Sequence, residues 1–160
     1  MDIKIRNAAE ADRERIRSLQ EEIAELHHKG RPDLFKAEAR CFTKEEFANR
    51  LSDPNHTVLI AETDTGEVAG YAFAWVIFYR NHSTYNDFDS FYIDDICVSK
   101  DFRRNGIGKM LFERCRQTAE EKNCKIMDLG VYAFNKEAVA FYKKCGMTER
   151  ILRMEYRLEG

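Results

Sequence analysis

The spacing of hydrophobic positions changes several times along this chain, and each change marks an element. Ile16, Leu19, Ile23 and Leu26 recur at intervals of three and four, which predicts an amphipathic helix over about residues 10–28. A short strand, IKIRNA (3–8), precedes it. Pro32, in RPDLF, breaks the pattern because a proline pushes the residue before it out of helical conformation. Thr43 and Glu46 fit a capping box and open a second short helix to about Leu51. TVLIAET (57–63) and VAGYAFAWVIFYR (68–80), joined by DTGE, predict a hairpin. The polar loop NHSTYND leads into a third long strand, FDSFYIDDICV (88–98).

Beyond it, Ile107, Met110, Leu111 and Cys115 share one face of a helix running to about Lys122, and KIMDLGVY (125–132) reads as a strand. Asn135 caps a helix whose stripe is Ala138, Phe141, Tyr142 and Cys145, and Gly146 ends it. MTERILRMEYRL (147–158) is expected to close the sheet. Strands early, then strand–helix–strand–helix, argue for an α+β fold with a mixed sheet and helices on both faces. The strands around 93–98 and 125–132 are the expected parallel neighbours, joined by a crossover helix.

Length and charge narrow the function. A chain of 160 residues suits one domain, 1–160. With 26 basic against 28 acidic residues the net charge is −2, so nucleic acid is not an expected partner and any phosphate recognition is local. No apolar run approaches the roughly 20 residues that span a bilayer, and the charged start MDIKIRNAAEADRER lacks a secretory core. Five scattered cysteines without a C-x-x-C pair read as mostly buried free thiols of a reducing compartment, which implies a cytoplasmic protein. The four histidines lack metal-ligand spacing, and no structural metal is expected.

The candidate chemistry sits in the turn after the third long strand. A helix starting near Gly106 presents unpaired N–H groups and about half a positive charge. Glycines at 106 and 108 admit a ligand close to the backbone, and Arg103, Arg104 and Lys109 add charge. Together they suit a phosphate or pyrophosphate. A Walker A loop is excluded, because Arg103 stands where its first glycine belongs and Met110 where Ser or Thr belongs. A dinucleotide fingerprint is excluded by Leu111 at its third small position. The alternative is a basic, glycine-capped turn with solvated arginines.

Arg103-Arg104-Asn105-Gly106-Ile107-Gly108 resembles the phosphate loop of the GNAT family of acyl-CoA-dependent N-acetyltransferases, Arg/Gln-x-x-Gly-x-Gly/Ala. Ile93-Asp94-Asp95-Ile96-Cys97-Val98 resembles the family's fourth strand, and the segment from Asn135 through Phe141 and Tyr142 to Gly146 its second cofactor motif. The resemblance implies a twisted, mostly antiparallel sheet of six to seven strands with about four helices. It also implies a V-shaped splay between the strands near 93–98 and 125–132. Acetyl-CoA is the implied cofactor. Backbone N–H groups from Arg104 to Lys109 would hold its pyrophosphate, with Arg103 a further cofactor contact, and Ile96, Cys97 and Val98 would line the pantetheine, with one amide facing the thioester oxygen. Asn135 and Phe141 are implied cofactor contacts, and Tyr142 takes the general-acid position beside the departing thiolate.

A protonated amine must lose a proton before it attacks a thioester, so the site needs a base or a water chain to one. Histone-acetylating relatives carry Glu where this chain has Tyr92. Relatives that acetylate ribosomal-protein N-termini read Leu-Glu-Val where this chain has Leu129-Gly130-Val131. Asp94-Asp95 resembles the Glu-Asp of polyamine-acetylating relatives. Alternation sends the two side chains to opposite faces, and the resemblance favours Asp94 as base or as anchor for a cationic amine. The alternative pairs one aspartate with a nearby Lys or Arg. Asp95, His27, His28, Phe35, Tyr79 and Tyr85 are candidate acceptor contacts. A small cationic amine is the favoured acceptor, attacking directly in a ternary complex, since no histidine partner for Cys97 is visible. A protein or peptide amine, a non-catalytic CoA-binding module and a cofactor-free scaffold are the competing readings. Family analogy also implies a homodimer through a sheet edge or the last strand.

Overall fold

In the computed structural model, which describes residues 1–38 and 41–159, β1 (Ile3–Asn7) leads through a short 3-10 turn into α1 (Arg13–Gly30). The Arg6 guanidinium ties this corner together. It donates to Asp12 at 2.8 and 3.0 Å and to Glu62 at 2.7 and 3.1 Å. α2 (Lys44–Ser52) starts at the expected capping box. There the Glu46 amide donates to Thr43 Oγ1 at 3.1 Å, and the Thr43 amide donates to Glu46 Oε2 at 2.9 Å. β2 (His56–Thr63), β3 (Val68–Tyr79), β4 (Phe88–Val98), α3 (Ile107–Glu121) and β5 (Ile126–Leu129) follow.

Among the described residues the sheet has five strands in the order β1-β2-β3-β4-β5. The first four are antiparallel neighbours, and β4 and β5 are parallel, as the crossover helix requires. Helices lie on both faces. On one face Ile16 and Leu19 of α1 and Phe47 of α2 pack with Val58, Ile60, Tyr71, Phe73 and Cys97. Burying each large side chain there contributes about 1.5–3 kcal/mol. On the other face α3 buries Ile107, Leu111, Phe112 and Cys115. Gly70 makes that approach fit, since a β-carbon on it would lie 2.6 Å from the Cys97 carbonyl and 3.3 Å from Leu111 Cδ1.

From residue 131 a second unit begins. It holds α4 (Lys136–Lys144), capped by Asn135, whose Oδ1 accepts from the Ala138 amide at 3.2 Å. A Schellman motif ends α4 at Gly146 (φ 92°): the Gly146 amide donates to Lys143 O and the Met147 amide to Tyr142 O.

Two expectations change. The sheet has five strands rather than six to seven. β5 stops at Leu129, and residues 147–158 form no strand. The apolar residues of that segment, Leu152, Met154, Tyr156 and Leu158, are 73–91% exposed. Their alternation describes an amphipathic extended chain, but alternation alone supplies no partner strand.

Candidate active site

The turn between β4 and α3 is built to satisfy carbonyls and to leave amides open. Arg104 (φ 65°) and Gly106 (φ 76°) are both left-handed, which reverses the chain sharply before α3. Arg103 Nε donates to Val98 O at 3.2 Å, and Asn105 Nδ2 donates to Phe102 O and Arg103 O at 3.1 and 3.3 Å. Met110 is the first amide of α3 with a helical partner, Gly106 O at 3.1 Å. Among the described residues, the amides of Arg104 through Lys109 make no hydrogen bond to another protein group. Arg103, Arg104 and Lys109 are exposed around them, while Ile107 turns its side chain into the core. Such a helix N-terminus can accept an anion.

β4 presents a second set of open amides. Its pairing with β5 ends at Ile93–Leu129, yet the strand runs on to Val98. The Ser99 amide donates to Ala69 O of the β3 side. Strand alternation therefore turns the N–H groups of Val98 and Ile96 away from β3, toward the side where β5 has ended. From Asp94 to Val98, β4 therefore runs on beyond the end of β5.

Asp94 and Asp95 lie on this same stretch, and a bulge separates them. Phe73 pairs with Asp95 and Ala74 with Ile93, so Asp94 is the extra residue. Simple alternation of the pair is thus interrupted. Asp94 is exposed, and its carboxyl is held above the usual range by burial, an effect that the positive charge of Arg50 on α2 opposes. Asp95 is half-buried, and Oδ2 accepts a hydrogen bond from the Tyr71 phenol on β3. Its carboxyl is pushed up to about 7, first by burial and then by the charge of Asp94, against the Tyr71 hydrogen bond.

Asp95 lines a cavity of about 280 Å³ with Gln20, Ile23, Ala24 and His27 of α1 and with Phe35, Lys36 and Glu38. His27 stacks on Phe35 at 4.9 Å between ring centres, and His28 Nδ1 lies 2.8 Å from Phe35 O. Burial lowers the His27 imidazole by disfavouring its charged form. His27, Phe35 and Asp95 therefore line one cavity, and His28 adjoins Phe35. Tyr79 and Tyr85 are elsewhere, in an aromatic cluster with His82 and Phe88 at the tip of the β3–β4 hairpin.

Sequence reasoning missed Tyr71. It lies 24 positions from Asp95, and only the hairpin register, which sets Tyr71 opposite Cys97 and Phe73 opposite Asp95, brings the two side chains onto one face. Cys97 is buried, its thiol contacts Leu19 O at 3.6 Å, and burial pushes it far above the usual thiol range. A thiol so held is a poor nucleophile. In the second unit, Tyr142 is half-buried on α4 with its ring 5.2 Å from that of Phe141, edge to face. Among the described residues no group of three or more His, Cys, Asp or Glu is placed to hold a metal ion, and no helix is long and apolar enough to cross a membrane.

These features coincide with known proteins. The model of the Acetyltransferase (GNAT) family matches residues 16–147. A thialysine N-epsilon-acetyltransferase of Bos taurus is 29% identical over 99% of this chain and 93% of its own length. A putative [ribosomal protein bS18]-alanine N-acetyltransferase of Bacillus subtilis is 28% identical over 77% of this chain and 78% of its own. The crystal structure of a mutant of the BH1408 protein from Bacillus halodurans superposes with a TM-score of 0.92 at 28% identity, covering 98% of this chain and 99% of that one. The chain belongs to the GNAT family. It is an acetyl-CoA-dependent N-acetyltransferase.

Proposed function

We propose that this acetyltransferase acts on a primary amine of a small cationic molecule, which attacks acetyl-CoA directly in a ternary complex. One observation carries the choice of acceptor. The cavity beside β4 joins an aromatic wall, Phe35 on His27, to two carboxylates, Glu38 and Asp95, against one cation, Lys36. Aromatic faces and carboxylates together suit an alkylammonium group. Tyr92 and Gly130, where the protein-acetylating branches carry glutamate, also adjoin: a β-carbon on Gly130 would lie 3.9 Å from Tyr92 Oη. The bovine relative is named for the ε-nitrogen of thialysine, and the bacterial one for a protein alanine.

In this proposal the amides of Arg104 to Lys109 hold the CoA pyrophosphate, with Arg103 beside them. The outward amides of Ile96 and Val98 take the pantetheine and the thioester oxygen, where a fixed donor is worth about 3 kcal/mol in the transition state. Cys97 lines the same strand as a buried, unreactive thiol. Asn135 and Phe141 serve the cofactor from the second unit, and the Tyr142 phenol protonates the departing thiolate. Asp94 is assigned to the acceptor, as an anchor for its charge or as its base. Five free cysteines fit a reducing cytoplasm. A homodimer is included because Leu152, Met154, Tyr156 and Leu158 are exposed in strand-like alternation, which pairing with a second copy would cover.

A panel of amines with acetyl-CoA, read by release of free thiol, tests the proposal. Turnover of polyamines, aminoglycosides or amino acids, and none of peptides, is the expected result. Turnover confined to peptides would overturn the acceptor class, and CoA binding without turnover of any amine would make the chain a binding module.

A further inference from the structure

Asp95 occupies a position that none of the roles above uses fully. It sits two residues beyond Ile93–Leu129, the last pair between β4 and β5, and next to Ile96, whose amide faces the side where β5 has ended. One carboxylate oxygen is held by the Tyr71 phenol, and the side chain forms the sheet end of the cavity under α1. We propose that Asp95, oriented by Tyr71, is the proton acceptor for the amine, and that Asp94 is not. The inference rests on the acetyl-transfer proposal and names the base within that site.

The reaction balances as follows. An ammonium enters the cavity and gives one proton to the Asp95 carboxylate. The freed nitrogen lone pair attacks the thioester carbonyl, and the C–N bond forms as the C–S bond breaks. The thiolate leaves with the C–S electron pair and takes a proton from Tyr142. The amide nitrogen loses its extra proton to the Tyr142 phenolate through water, and Asp95 returns its proton to solvent.

The two aspartates differ in ways that suit this division. Asp94 is the exposed bulge residue and feels Arg50 of α2, which opposes the upward push of burial on its carboxyl, so its charge is available to a cation. Asp95 is enclosed, and the groups facing it are Tyr71 from β3, Asp94 and Cys97 on its own strand, His27 from α1, and Lys36 and Glu38 from the segment after α1. Burial and Asp94 bring its carboxyl to about 7, where a base is half ionised at neutral pH and still basic enough to accept a proton. Burial and the adjacent carboxylate hold the Tyr71 phenol well above its usual range, so it remains a donor.

The pH profile of kcat/KM, measured with an amine that the panel identifies, tests the assignment. Wild type is expected to lose activity below about pH 7, as Asp95 protonates. Tyr71→Phe removes a hydrogen bond that favours the carboxylate, so this acidic limb moves up by about one pH unit. Asp94→Asn removes a like charge, so the limb moves down. Asp95→Asn lowers kcat/KM about 100-fold and erases the limb, with CoA affinity within about twofold as proof of folding. Asp95→Glu restores part of the activity. A limb that survives Asp95→Asn, or that vanishes in Asp94→Asn, overturns the inference alone. CoA binding with no amine turned over by wild type overturns the proposed function, and the inference with it.

Discussion

Two polar turns flank β4, and they differ in which backbone groups their side chains satisfy. In the turn before the strand Arg80 donates to the carbonyls of Tyr79 and Phe88, and two further side chains take up the amides. Asp87 Oδ1 takes the Asn81 amide at 2.9 Å, and His82 Nδ1 takes the amides of Thr84 and Tyr85 at 3.1 and 3.2 Å. In the turn after the strand the side chains are donors, and Arg103 and Asn105 occupy carbonyls. Both turns carry a non-glycine residue in left-handed conformation, Asn81 (φ 51°) and Arg104 (φ 65°), so backbone shape alone does not distinguish them. The first turn is closed by its own carboxylate and imidazole. The second leaves a row of amides open, which the proposal above assigns to the CoA pyrophosphate. A loop therefore becomes an anion site through what its side chains leave unsatisfied as much as through the amides it contains.

Substitutions can break that contrast. Gly108→Glu places bulk and negative charge among the open amides and is expected to weaken CoA binding about 100-fold or more, about 3 kcal/mol by calorimetry. Near-normal affinity would remove the phosphate assignment. Tyr142→Phe separates grip from chemistry: kcat is expected to fall about 100-fold while CoA affinity stays within about twofold, and unchanged turnover would remove the general acid. Asn105→Asp makes the second turn resemble the first by replacing the donating Nδ2 with a second, charged acceptor, which releases the two carbonyls and can take the amide two residues on. CoA affinity is then expected to fall about tenfold. The converse change, Asp87→Asn, should leave CoA affinity unaltered and cost about 1 kcal/mol of stability in a denaturant titration, through the weakened bond to the Asn81 amide.

Much of this was legible in the residues because the signals are local. Thr43 and Glu46 form both bonds of the capping box, Asn135 caps α4, and Gly146 ends it, since each device needs only neighbours within a turn of helix. The hairpin and the long third strand were legible from their apolar runs. The features that depend on pairing were not. The bulge at Asp94 arises from the register between β3 and β4, and neither strand shows it alone. The Tyr71–Asp95 bond depends on that register too, so resemblance drew attention to Asp94 while the structure gives the enclosed position to Asp95. The last segment misled for a related reason: Leu152, Met154, Tyr156 and Leu158 alternate as strand residues do, yet remain exposed.

Amide resonances of the two turns, followed by NMR as CoA is added, test the central claim most directly. The account predicts that the amides of Arg104 to Lys109, with those of Ile96 and Val98, shift on binding while those of Asn81, Thr84 and Tyr85 stay where they are. Saturating CoA that leaves the amides after β4 undisturbed would contradict it.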